Sequence, residues 1–251
     1  DIVSSLSTPE GTDVSGAVFL NYTQAELDRA YDQRAWAANA AEVIASYTTA
    51  SKAVQARYRF TTEQYGPGED EVLDIYPPVT AAGLGAPAAK DGKPGAPIHV
   101  FVHGGGWQRL TKDESAFPAP ALVESGCIYI ALNFSVIPKA RVPEMVEQCR
   151  RAIIWIVRNA WRFGGDPGRI HLSGHSSGGH MAAVLLTTDW KALGLEASPL
   201  RSGLVASGMY DLGPVLLSAR SSYVKLDKAE EDALSPMRHL DRVACPIAVA
   251  Y

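Results

Sequence analysis

The run Gly174-His175-Ser176-Ser177-Gly178 constrains this chain more than any other feature. Residues 169–173 before it are strand-like, and residues 178–188 after it are helix-like, carrying Met181, Ala182, Ala183, Leu185 and Leu186. A strand can pass into a helix through so short a turn only if its flanks are small, and Gly174 and Gly178 meet that need. Ser176 is then expected at the apex with its hydroxyl exposed. From residue 98 onward the same rhythm repeats. Strands are predicted over 98–102, 127–133, 169–173, 202–207 and 246–251, and helices over about 113–125, 143–163 and 178–188. Short, continuously apolar strands alternating with helices imply an α/β architecture: a mostly parallel central sheet with flanking helices on both faces. The middle helix is the clearest. Val146, Cys149, Ile153, Ile154, Ile156 and Val157 give it an apolar face, Trp155 broadens that face, and Gly164-Gly165-Asp166-Pro167 stops it.

The remainder is less regular. Residues 1–20 read as an irregular arm. Asn21-Tyr22-Thr23 can cap a helix, and Leu27, Tyr31, Trp36, Val43 and Ile44 place one or two helices over 24–48. The stretch 1–56 is therefore taken as an N-terminal arm and helical cover. Residues 58–62 and 71–76 form a hairpin-like pair around Gly66-Pro67-Gly68. Residues 80–97, with Lys90 and Lys93, form a surface connection. Residues 212–240, interrupted by Pro214 and Pro236, read as an excursion over the carboxyl end of the sheet and a candidate lid or pocket wall.

A second glycine-rich segment, His103-Gly104-Gly105-Gly106-Trp107, closes the strand at 98–102. Three glycines let the backbone aim successive N–H groups inward, where they can hold an oxygen that gains charge when a carbonyl is attacked. Gly105 and Gly106 are the candidate donors, with the amide of Ser177 as the third. One such donor is worth roughly 3–4 kcal/mol in a transition state. His103 fits a strut for the loop. Trp107 either lines a substrate pocket or packs beneath the loop, and Gln108 and Tyr210 are candidate substrate contacts. Neither glycine-rich turn has the lysine of a phosphate loop.

The nucleophile needs a base. In a strand-turn-helix serine site of this kind the partners follow in the order serine, acid, histidine. The acid is expected after the strand near Pro246 and the histidine one strand later, so both are expected beyond Tyr251, and the C-terminal part of a single domain spanning 1–251 is expected to be missing. The histidines present are poor substitutes. His99 and His171 lie in strands, and His175 and His180 belong to the elbow and its helix. His239 with Asp241 precedes the last strand, and Asp211 suits a pocket or structural carboxylate better than a catalytic acid.

The chain resembles α/β-hydrolases of the kynurenine formamidase (arylformamidase) and carboxylesterase group. Besides the two glycine-rich turns, the resemblance covers Asn21-Tyr22, residues 31–34, Tyr65-Gly66-Pro67-Gly68, Leu73-Asp74-Ile75-Tyr76, Phe163-Gly164-Gly165-Asp166-Pro167, Ser207-Gly208-Met209-Tyr210-Asp211-Leu212 and Ser235-Pro236. It implies the α/β-hydrolase fold and a cofactor-free serine hydrolase. Ser176 would attack an ester or amide, N-formylkynurenine being the family's named substrate, and Gly105, Gly106 and Ser177 would match the oxyanion donors. Formamidases often carry an aromatic residue where Gly106 stands. Gly106 instead resembles hormone-sensitive-lipase-like esterases, which enlarges the acyl side of the pocket.

The remaining sequence features narrow the partners. A formal charge of −4 without a dense basic patch argues against nucleic acid. No apolar run reaches the length of a membrane span. Cys127, Cys149 and Cys245 lack metal-ligand spacing, and their odd number argues against a full disulfide framework. A small-molecule ester or amide is the expected partner, a homodimer is a candidate assembly, and the cytoplasm is the expected location. Two rivals stay open: a catalytically silent hydrolase-fold scaffold and, more weakly, a metal hydrolase.

Overall fold

The computed structural model describes residues 16–80, 83–84 and 95–251. A seven-stranded sheet forms its centre, in the order β11-β10-β9-β7-β8-β4-β3. Strands β7 (Ala96–Val102), β8 (Ile128–Leu132), β9 (Gly165–His175), β10 (Leu200–Ala206) and β11 (Ile247–Ala250) are parallel. Strands β3 (Thr61–Gln64) and β4 (Val72–Tyr76) add an antiparallel edge. The parallel strands all point their carboxyl ends the same way. That end collects His103, Ser176 and Ser207, the first residues beyond β7, β9 and β10.

Side-chain alternation divides the interior in two. On β8, Ile128, Ile130 and Leu132 enter the larger apolar cluster, while Tyr129 and Ala131 enter the smaller one. Helices α4 (Val142–Asn159) and α5 (Ser177–Leu186) belong to the larger cluster. In α4 the buried positions are Val142, Met145, Val146, Cys149, Ala152, Ile153 and Ile156, a helical stripe; Ile154, Trp155 and Val157 are only partly buried beside it. Helices α2 (Ala40–Arg57) and α3 (Ala119–Glu124) cover the smaller cluster through Val54, Ala119 and Val123. Ser51 of α2 is fully buried, and its Oγ accepts from the amides of Ala116 and Phe117, both at 3.1 Å.

Several expectations need correcting. The N-terminal stripe over 24–48 becomes three pieces: α1 (Gln24–Ala30), a 3-10 turn Gln33–Ala35, and α2, which runs on to Arg57. Thr23 caps α1 through a reciprocal pair with Glu26, and a small hairpin of β1 (Ala17–Phe19) and β2 (Tyr22–Thr23) precedes it. Because α2 is long, Tyr58 is its C-cap rather than a strand residue, and β3 starts three positions later than expected. The helix expected over 113–125 splits at Pro118 into a 3-10 turn, Lys112–Glu114, and α3. The helix over 143–163 ends in a 3-10 turn, Ala160–Phe163, that Gly164 closes in the left-handed region. Most of the arm and of the connection with Lys90 and Lys93 lies outside the described residues; β5 (Val79–Thr80) and β6 (Gly83–Leu84) form a short hairpin within it.

The excursion consists of α6 (Gly213–Leu217), α7 (Lys228–Ala233) and 3-10 turns at Ala219–Ser222 and Pro236–Arg242. Leu212, Val215, Val224 and Leu234 anchor it in the larger cluster. Arg238 ties it together by ion pairs to Asp211, Glu231 and Asp232. All three cysteines are free thiols. No helix among the described residues is long and apolar enough to cross a membrane.

Candidate active site

Ser176 stands alone between β9 and α5, with φ 57° and ψ −126°. A non-glycine residue at positive φ stores strain, and it stays there only because its surroundings fix it. One constraint is the Ser176 N–H, which donates to the carbonyl of Ala206 on the neighbouring strand at 2.8 Å. Another is the helix itself. A Cβ on Gly178 would stand 2.1 Å from the carbonyl oxygen of Val102, so α5 starts with its backbone pressed against the end of β7. The side chain of Ser176 is left half-exposed at the tip of the turn.

The glycine-rich loop lies against this turn. A Cβ on Gly104 would come 2.7 Å from the carbonyl oxygen of His175 and 3.3 Å from Cβ of Ser176. Gly105, at φ 110°, folds so tightly that its own Cβ would meet the carbonyl oxygen of Arg109 at 1.8 Å. Gln108 and Arg109 both donate their amides back to the carbonyl of Gly105, at 3.2 and 3.1 Å, which closes the turn. The Trp107 N–H then donates to Ser177 Oγ at 3.2 Å, fastening the loop to the first residue of α5. Among the described residues, no acceptor takes the amide protons of Gly105, Gly106 or Ser177. Three N–H groups beside a half-exposed serine hydroxyl can bind an oxygen that becomes negative during attack on a carbonyl.

Five of the six histidines are occupied elsewhere. His103 is buried, and its Nδ1 donates to the carbonyl of Gly104 at 2.9 Å, while its ring stacks on Phe134. Nε2 of His180 donates to the carbonyl of Leu234 at 2.8 Å, and so joins the elbow helix to the excursion. Burial pushes both rings down to about 4, so both are neutral near pH 7. His99 meets Ser173 Oγ, His171 meets Ser202 Oγ, and His239 meets the carbonyl of Asp232. His175 is exposed beside the turn. Asp211 pairs with Arg238 and caps the amide of Gly213, a structural use.

The expected substrate contacts divide. Trp107 is 1% exposed, with its ring edge-on to His180, so it packs beneath the loop and does not line an open wall. Gln108 is half-exposed. Tyr210 is partly buried, and its hydroxyl accepts the Gly208 amide at 3.1 Å, which folds the ring back on its own turn. The sequence reading missed Arg220 and Tyr223. They reach the loop from the excursion, and a Cβ on Gly106 would stand 3.7 Å from Nη1 of Arg220 and 3.8 Å from the Tyr223 hydroxyl. Neither belongs to a motif; only the course of the chain brings them there.

Residues 84–199 match the BD-FAE family. The chain is 35% identical over 242 residues to a kynurenine formamidase of Danio rerio, covering 90% of this chain and 75% of that protein. It is 33% identical over 241 residues to a kynurenine formamidase of Salmo salar, with the same coverage. A crystal structure from a Silicibacter species, of a protein provisionally named a thioesterase, superposes with a TM-score of 0.73 at 26% identity, covering 90% of this chain and 79% of that one.

Proposed function

This chain belongs to the kynurenine formamidase family of α/β-hydrolases, and on that premise we propose that it cleaves a small ester or amide through an acyl-serine intermediate on Ser176. An aryl formamide is one candidate substrate within that class. The observation that supports the reading is the approach of Gly104 to Ser176 Cβ, together with amides at Gly105, Gly106 and Ser177 that have no acceptor among the described residues.

In this mechanism the Ser176 oxygen adds to the carbonyl carbon. The carbonyl oxygen takes the charge and settles against the amides of Gly105, Gly106 and Ser177. The positive end of α5 favours the same charge. Collapse expels the leaving alcohol or amine, which picks up the proton the base removed from serine. Water then repeats the sequence on the acyl-enzyme and frees the acid. We assign the base to none of the five histidines that are committed to other partners.

The test pairs turnover with covalent labelling of the protein. A fluorophosphonate should attach to Ser176 alone, as read by peptide mass spectrometry, and Ser176→Ala should lose at least about 10³-fold in kcat. Equal turnover by wild type and Ser176→Ala would reject the serine.

A further inference from the structure

Arg220 is 8% exposed, on the 3-10 turn Ala219–Ser222 of the excursion. Enclosing a guanidinium costs several kcal/mol unless charge and hydrogen bonds compensate it. The compensation here is partial. Nη2 donates to the carbonyl of Tyr31 at 2.9 Å, and the guanidinium carbon lies 5.5 Å from the centre of the Tyr31 ring. Nη1 has no partner among the described residues. Nor does Arg220 form an ion pair there. Asp32 and Asp211 pair instead with Arg34 and Arg238.

The unspent nitrogen has a direction. Nη1 and the Tyr223 hydroxyl both lie within 4 Å of the point where a side chain on Gly106 would begin. That point belongs to Gly106, one of the two loop residues assigned above as oxyanion donors. An aromatic residue at position 106 would crowd it; glycine adds nothing to it.

We propose that Arg220, with Tyr223, recognises a carboxylate carried by the substrate, making the preferred substrates anionic esters or amides. This inference rests on the reading of Ser176 as nucleophile and adds the substrate's charge. A carboxylate would complete the fork of Arg220, taking a charge-assisted bond from Nη1 and a second from the Tyr223 hydroxyl. Nη1 is enclosed in the unliganded protein, so the incoming group must displace a neighbour. Tyr223, half-exposed and three residues along, is the movable one. Tyr31 then acts as the floor that holds the guanidinium plane, which links the N-terminal cover to specificity. Arg220 is assigned to substrate binding and takes no part in bond making.

The experiment compares matched substrates on the protein. One pair is 2-formamidobenzoate and formanilide, with the carboxylate on the leaving group. The other is mono-4-nitrophenyl succinate and 4-nitrophenyl butyrate, with it on the acyl group. Wild type should favour the anionic member of at least one pair. Arg220→Met should shrink that preference by about 30-fold, mainly through KM, with Arg220→Lys recovering part of it. A strut would change both members of a pair in proportion, and an unchanged ratio in both pairs overturns the proposal. Calorimetry on Ser176→Ala, with and without Arg220→Met, reads 2-aminobenzoate and succinate binding apart from turnover. Binding that needs Arg220 supports the assignment even if no substrate turns over, in which case the nucleophile reading alone fails. Binding of either acid that ignores Arg220, or no binding of both, overturns it.

Discussion

The amide of Trp107 donates to the hydroxyl of Ser177 at 3.2 Å, so the residue after Ser176 fastens the loop that faces it. Ser177 thus serves twice, with its side chain accepting and its own amide left free. Ser177→Ala keeps the amide and removes the fastening. One buried hydrogen bond of this kind is worth about 1 kcal/mol, so kcat should fall about fivefold while KM moves little. Steady-state kinetics on a neutral ester check this, and an unchanged kcat would mean the loop is held by other contacts.

Gly105 admits no side chain. At φ 110° a Cβ would overlap the carbonyl oxygen of Arg109, so Gly105→Ala must open the turn and turn its amide away. Loss of one oxyanion donor predicts a drop of about 10²-fold or more in kcat. Circular dichroism should stay near wild type, because the turn lies outside the sheet. Wild-type kcat in this variant would exclude Gly105 as a donor.

Acid should weaken the fold before its carboxylates titrate. Burial lowers His99, His103 and His180 from 6.5 to about 4. Between those values the unfolded chain holds more protons than the folded one. Stability from these rings is therefore fully present above pH 6.5 and is lost as pH falls toward 4. Each ring contributes up to about 1.4 kcal/mol per pH unit inside that window. Denaturant midpoints at pH 7, 6 and 5 should fall steadily, and His99→Gln should remove about one proton from the slope. A flat profile from pH 7 to 5 would contradict the buried neutral rings.

Lys112 neutralises a carboxylate with no access to water. The Asp74 side chain is 0% exposed, receives the Thr62 hydroxyl at 2.6 Å, and meets Lys112 Nζ at 3.0 Å. Lys112→Met should cost about 3 kcal/mol, since it leaves a buried charge with one hydroxyl for company. Adding Asp74→Asn should return part of that loss. Equilibrium unfolding of the two variants decides it; a double variant no better than the single one would rule out stranded charge as the cause.

The sequence made the centre of the molecule legible and its periphery much less so. Strand β8 announces itself because a parallel strand covered on both faces must be continuously apolar, as 128–132 is. The two glycine-rich turns were legible for a different reason: close backbone approach excludes side chains and leaves glycine as the visible trace. α2 was cut short because only Ser51 and Val54 are buried along its 18 residues, too few to write a stripe. That error carried into β3, where Tyr58 has strand-like chemistry but a capping position. Trp107 stayed open between pocket wall and packing beneath the loop because its place after the glycines says nothing of which way the ring turns; its φ is 62° and its ring is buried. Arg220 was invisible. Its partner Tyr31 is 189 positions away, and no local pattern encodes such a meeting.

All ten positions of α5, Ser177 to Leu186, are buried. For protein engineers this fixes where diversity can be spent. A library randomised along that helix would be mostly unfolded clones, whatever chemistry it sought. On the proposal above, Arg220 and Tyr223 lie outside that helix and the sheet, so selection for altered appetite should begin there.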